Sequence, residues 1–291
     1  MFDGFQLEFV NVGEGTLRVR HGGHGPPVVL LHGHPRTHTT WHRVAPLLAD
    51  SLSVVCPDLR GYGQSTLPQD APDHAQSSKR AMAHDVVSLM RQLGYERFAV
   101  VGHDRGALVA FRTAMEHPDA VSRLVVMDGL PITEHLERLN EAFVRSWWHW
   151  WFLGQTEKPA ERVINLDPDA WYRTPSAAEM GEGNHADVWA ALRDPDVVHG
   201  MCEDYRAGLR IDHVHEQADR SAGRRIACPM LLLAATEDDI DIHGDPEAIW
   251  RSWVAGELHS APIHSGHHQA EEAPEELARA LLQFLAGDAP P

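Results

Sequence analysis

The feature that most constrains this chain is the turn Gly102-His103-Asp104-Arg105-Gly106, set between the apolar run Phe98 to Val101 and the helix-compatible run Ala107 to Met115. Two glycines around one central residue permit a tight strand-to-helix turn, the context of a nucleophile elbow at the end of a buried strand. The helix start behind it favours negative charge at Asp104. A capping role alone for Asp104 would leave the glycine frame without purpose. The residue type also selects the chemistry. A hydroxyl nucleophile that displaces a leaving group from saturated carbon would leave an inert ether, whereas a carboxylate leaves an ester that water can cleave. The motif points to alkyl rather than acyl transfer, and a serine esterase route has no support at the elbow.

Short apolar runs bounded by Gly, Pro and Asp predict buried parallel strands at Val28 to Leu31, Leu52 to Cys56, Phe98 to Val101, Leu124 to Met127 and Met230 to Ala234, with a further strand near Leu258 to Ile263. Leu7 to Asn11 and Leu17 to Arg20 predict an antiparallel edge. Met82, Val86, Leu89, Met90 and Leu93 form one apolar helical face closed by Gly94, and a last helix is predicted from Pro274 to Leu285. This alternation implies an α/β fold with a mostly parallel sheet flanked by helices. It stops at Leu130 and resumes near Ile226. The expected division is therefore a core domain, 1–129 and 226–291, with an inserted helical cap, 130–225. Within that insertion Trp147-Trp148-His149-Trp150-Trp151 carries four indoles in five residues, too many for one core, so some are expected to line a cavity.

The formal net charge of −17 argues against nucleic-acid partners and anionic membrane surfaces, and no basic run offers a local exception. Cys56, Cys202 and Cys228 fit no C-x-x-C spacing and are expected to be buried thiols without a disulfide. With no leader pattern and no long apolar window, the expected location is cytoplasmic.

A base should follow the last strand, and His267 in Ser265-Gly266-His267-His268 occupies that place, ready to activate water. Two acids compete to orient it: Asp128, after the Leu124 strand, and Asp238, after the Met230 strand. The backbone amides of His34, in His32-Gly33-His34-Pro35, and of Arg105 are candidates for an oxyanion hole. A metal site built from His32, His34, His38 and His42 lacks a matching carboxylate cluster or H-E-x-x-H helix, so no metal and no cofactor is expected.

Together these residues resemble the α/β-hydrolase superfamily, and within it the haloacetate (fluoroacetate) dehalogenases. The resemblance is carried by His32-Gly33-His34-Pro35, Asp58-Leu59-Arg60-Gly61-Tyr62-Gly63, Gly102 to Gly106, Trp148-His149-Trp150, Cys202-Glu203-Asp204-Tyr205-Arg206-Ala207-Gly208 and Gly266-His267. The first three are shared with epoxide hydrolases. The resemblance implies Asp104 as nucleophile, His267 as base, Asp128 as the preferred acid, and a halide cradle of His149, Trp150 and Tyr205, all able to donate hydrogen bonds. It also implies a homodimer. The family clamps a substrate carboxylate with arginines at the positions of Arg105 and Leu108; here the second is apolar, which removes a contact worth about 1.5–3 kcal/mol and favours a larger or less charged substrate. The leading reading is cleavage of a carbon–halogen bond in a small haloacid or haloalkanoate through an aspartyl ester. The alternative is an epoxide hydrolase using the same Asp104 and His267, with His149 and Tyr205 assisting ring opening. A binding protein that has lost turnover is disfavoured by the presence of nucleophile, base and acid.

Overall fold

The computed structural model describes residues 1–173 and 175–285, so the end of the expected core segment, 286–291, lies outside the described residues. Eight strands form one sheet: β1 (Gln6–Asn11), β2 (Thr16–Gly23), β3 (Pro27–Leu31), β4 (Ser53–Pro57), β5 (Phe98–His103), β6 (Val121–Met127), β7 (Met230–Ala235) and β8 (Leu258–Ile263). Their spatial order is β1-β2-β4-β3-β5-β6-β7-β8. β1 and β2 pair antiparallel, as does β2 with β4; every other pairing is parallel. The predicted strands are all present, within a few residues of the expected ends.

Period-two alternation explains how the central strands serve two cores at once. Val29, Leu31 and Val100 face a cluster shared with the helices α1 (Lys79–Gln92) and α2 (Arg105–Glu116), while Val28, Leu30 and Val101 face one shared with Leu277 and Leu281 of the Pro274–Leu285 helix. Each such buried Val or Leu contributes about 1.5–3 kcal/mol. α1 starts where Ser78 Oγ accepts from the Ala81 amide, which satisfies one of the free N–H groups of its first turn.

Between β6 and β7 the described residues form helices and turns only, from Ile132–Glu137 to His213–Ser221. They carry a third apolar cluster, in which Phe143, Trp147, Trp150, Leu153, Val198 and Tyr205 pack with Leu108 of α2. The helical segment is thereby seated on the helix that follows the elbow. Its long helix Pro195–Ala207 runs into a π-helical turn, Gly208–Asp212, next to Tyr205. The four indoles divide as expected: Trp147 and Trp150 are buried against a cavity, Trp151 is half-buried, and Trp148 is exposed. Cys56 and Cys202 are buried free thiols, but Cys228 is only half-buried. No helix among the described residues is long and apolar enough to cross a membrane.

Candidate active site

The elbow is built by backbone contact. A Cβ on Gly102 would lie 2.1 Å from the Gly106 carbonyl oxygen, so β5 and α2 meet more closely than any side chain permits. This crossing drives Asp104 to φ 51° and ψ −118°, a conformation that costs a non-glycine residue about 1–3 kcal/mol. Its side chain stands clear of the sheet as a result. The loop after β3 then closes over it: the His34 amide donates to Asp104 Oδ1 at 2.7 Å, and the Arg105 amide also donates to this carboxylate. A Cβ on Gly33 would sit 2.3 Å from Oδ1, so this approach also requires glycine. The other oxygen, Oδ2, lies 3.9 Å from His267 Nε2. The two oxygens are therefore in different chemical settings, Oδ1 held by the His34 amide and Oδ2 facing an imidazole.

His267 follows β8, and its Nδ1 donates to Asp238 Oδ2 at 2.7 Å. His103, kept neutral by burial and the neighbouring His267, bonds through Nε2 to the His267 carbonyl at 2.7 Å and fixes the loop. The preference for Asp128 as the acid bonded to His267 is corrected by this geometry. Asp128 Oδ1 accepts from the Ala235 amide at 2.8 Å and Oδ2 from Gln269 Nε2 at 2.7 Å, which consumes the carboxyl that sequence position had nominated. Asp238, three residues beyond Ala235, reaches Nδ1 instead. Asp128, Asp238 and His267 still bring side-chain oxygens and a ring nitrogen within 4.8 Å of one another.

Electrostatics separates these groups. Burial pushes Asp128 up to about 7. Burial also raises Asp238, but the hydrogen bond and charge of His267 outweigh it and hold the carboxyl below its usual range. Burial alone would lower His267, yet the hydrogen bond to Asp238 and the charges of Asp104, Asp238 and Asp128 push it up to about 9. An imidazolium thus faces the Asp104 carboxylate.

A cavity of about 350 Å³ opens above Asp104. His34, Asp238 and His267 line it from the sheet side, and Trp147, His149, Trp150, Leu153, Trp171, Tyr172 and Tyr205 from the helical segment. His149 is pushed down to about 4 by burial and by the nearby charges of Arg105 and His267, so its ring is neutral near pH 7. The Trp150 indole N–H and the Tyr205 hydroxyl have no hydrogen-bond partner among the described residues. The predicted cradle residues are therefore brought together with Asp104.

Arg105 and Leu108, expected at the substrate, do not line this cavity. The Arg105 guanidinium lies behind the Tyr205 ring, 4.2 Å from its centroid, with Nε and Nη2 on the two carboxylate oxygens of Asp204 at 3.1 and 3.0 Å. Asp204 also accepts from Tyr62 at 2.7 Å and from Lys79. The reason is packing: Gly208 leaves room for Nη2, which a Cβ there would approach to 2.8 Å. Leu108 instead packs with Trp150 and Tyr205.

Three residues escaped the sequence reading. Asp204 lay inside a quoted motif but had no assigned partner. Asp239, beside Asp238, accepts from Ser146 Oγ at 2.5 Å and Trp147 Nε1 at 2.8 Å, tying the helical segment to the loop of the acid. Tyr172 lines the cavity from a short helix with no recognisable motif. The amino-terminal histidines are spent on structure: His38 Nδ1 bonds Asp58 at 2.7 Å, His32 Nε2 accepts from the Leu59 amide, and His42 Nδ1 donates to the Thr39 carbonyl. His103, His267 and His268 bring ring nitrogens within 4.8 Å of one another, but two of those rings already hold the loop and Asp238.

This chain is 40% identical to a fluoroacetate dehalogenase of Burkholderia sp, over 98% of its own length and 95% of that protein's. It is 28% identical to a soluble epoxide hydrolase of Corynebacterium sp. (strain C12), over 98% and 96% of the two lengths. A crystal structure of an α/β hydrolase from Nostoc sp PCC 7120 superposes with a TM-score of 0.95 at 38% identity, covering 99% of this chain and all of that one. The model of the alpha/beta hydrolase fold family matches residues 26–274, and the chain belongs to that family of enzymes as a hydrolase.

Proposed function

We propose that this hydrolase cleaves a carbon–halogen bond of a small haloacid or haloalkanoate through a covalent ester on Asp104. The observation that carries the reading is the division of labour between the Asp104 oxygens: Oδ1 held by the His34 amide, Oδ2 turned toward His267 and free to attack, with the Arg105 amide donating to the same carboxylate. In the first step Oδ2 bonds to the halogen-bearing carbon and the halide leaves with its electron pair toward His149, Trp150 and Tyr205. Neutral donors in a small cavity bind such an anion more strongly than water-exposed ones.

In the second step water adds to the Asp104 carbonyl carbon while His267 Nε2 takes its proton. The oxyanion forms on Oδ1, against the His34 amide already aimed at it, while the Arg105 amide donates to the same group. The bond to the alkyl oxygen then breaks as the His267 imidazolium returns a proton to that oxygen, an alcohol leaves, and Asp104 keeps one oxygen from water. Ester formation also prepares the base. It removes the Asp104 charge that helps raise His267, so the imidazolium loses its proton more readily once the ester exists. Asp238 holds the ring in place.

Epoxide opening is the second reading. It is favoured by a specific observation, two phenols, Tyr172 and Tyr205, lining one cavity with His149, since phenols can protonate a leaving alkoxide. The 28% identity to an epoxide hydrolase supports it, and the 40% identity to a dehalogenase supports the first. Single-turnover reaction in oxygen-18 water, followed by mass analysis of the Asp104 peptide, tests both. Label is expected in Asp104, and the compound that produces it, haloalkanoate or simple epoxide, decides between them. Turnover without label, retained in Asp104→Asn, excludes the ester route.

A further inference from the structure

Taking the aspartyl-ester reading as its basis, we propose that within the haloacid and haloalkanoate class this site prefers the uncharged derivative, an ester or amide, over the free carboxylate. The first observation is the charge on the cavity wall. Its lining carries three carboxyl side chains, Asp104, Asp238 and Asp239, against one cationic ring, His267. That ring is already shared between Asp104 and Asp238.

The second observation is where the nearest guanidinium went. Arg105 is fully buried, bidentate on Asp204, and separated from the cavity by the Tyr205 ring. Asp204 is in turn neutralised by Lys79, which also lies 3.7 Å from Asp212. Two cations and two carboxylates thus close on each other beneath the wall, and the Arg105 guanidinium spends N–H groups on Asp204 rather than offering a bidentate contact inside the cavity. The third observation is the wall itself: Trp147, Trp150, Leu153, Trp171, Tyr172 and Tyr205 present rings and an alkyl group. Such a surface offers an incoming carboxylate donors for a single small anion but no counter-charge, while Asp104 must itself approach the substrate as an anion. A neutral carbonyl compound meets none of this repulsion.

The test compares chloroacetamide with chloroacetate, which share the leaving group and differ chiefly in charge. For the wild-type enzyme in oxygen-18 water, chloride release and label in the Asp104 peptide are read for each. The amide is expected to show a kcat/KM at least tenfold higher, with label in Asp104. Equal or faster reaction of the acid, with label, overturns the charge argument while leaving the ester reading intact. Chloride release from the amide without label overturns the ester reading and this proposal with it. Absence of any reaction with the amide overturns the proposal alone. Leu108→Arg, which sets a guanidinium against Trp150 and Tyr205, is expected to narrow or reverse the preference for the amide. Since that buried substitution can cost folding, the wild-type comparison decides.

Discussion

His267 Nδ1 lies 2.7 Å from Asp238 Oδ2, while Asp128, close enough to influence the same ring, gives both of its oxygens to other donors. One acid holds the base and the other stands behind it. This difference predicts unequal effects of isosteric substitution. Asp238→Asn replaces the charged acceptor with an amide whose NH₂ can face Nδ1 and impose the wrong ring tautomer, and should lower the rate of ester hydrolysis by about 10²–10⁴-fold, a magnitude typical of losing general-base catalysis. Asp128→Asn should cost less than about tenfold by the same measure. Single-turnover kinetics with mass detection of the Asp104 adduct separates the two: the adduct should accumulate in Asp238→Asn and decay nearly normally in Asp128→Asn.

The charge of Asp104 is one of the forces that push His267 up to about 9. Asp104→Asn, a neutral group of the same shape, imitates the esterified enzyme in charge. NMR titration of the His267 ring should therefore show a clearly lower pKa in Asp104→Asn than in the wild-type protein. An unchanged or higher value would remove the idea that ester formation prepares the base.

His199, on the Pro195–Ala207 helix, bonds Glu161 at 2.9 Å and Asp70 at 3.0 Å, and these contacts push it up to about 9 despite its partial burial. A histidine whose pKa is raised on folding contributes stability that is complete below its usual 6.5 and is lost as pH rises through about 9. Resistance to thermal unfolding should therefore fall between pH 6.5 and 9, and His199→Gln should flatten that part of the profile. Because the group is a third exposed, the difference will shrink in high salt.

The central strands β3 to β7 were legible because their cause is local: short apolar runs with turn residues at both ends make buried strands in any compact arrangement. Asp104 and His267 were legible for a related reason, since the elbow glycines and the position after the last strand are properties of chain order. The acid was not, because Asp128 and Asp238 both end neighbouring parallel strands and only three-dimensional reach decides between them. Gln269 made that decision by occupying Asp128, and nothing in the spacing of a glutamine announces it. Arg105 shows the same limit. Its place beside the nucleophile suggested a substrate contact, but Asp204, 99 residues away, turned the guanidinium into the wall.

Asp128 also provides a stability test of its setting. Burial raises its carboxyl from the usual 3.8 to about 7, so the folded protein holds a proton that the unfolded chain releases. For an acid raised in this way the sign is opposite to that of a salt-bridged one: stability falls as pH rises from about 4 to 7, and the cost persists above. Asparagine carries no such cost, and the site can accept it. Its carbonyl can keep the Ala235 amide, and its NH₂ can donate to Gln269 Oε1, a buried oxygen that has no hydrogen-bond partner, once the Gln269 amide is turned about its terminal bond. Asp128→Asn should therefore be more stable than the wild-type protein at pH 8, by on the order of 1–3 kcal/mol, and should lose that advantage near pH 4. Urea unfolding at the two pH values measures the difference directly. A variant less stable than wild type at pH 8 would show that Asp128 is held as a carboxylate, paired with the charge of His267.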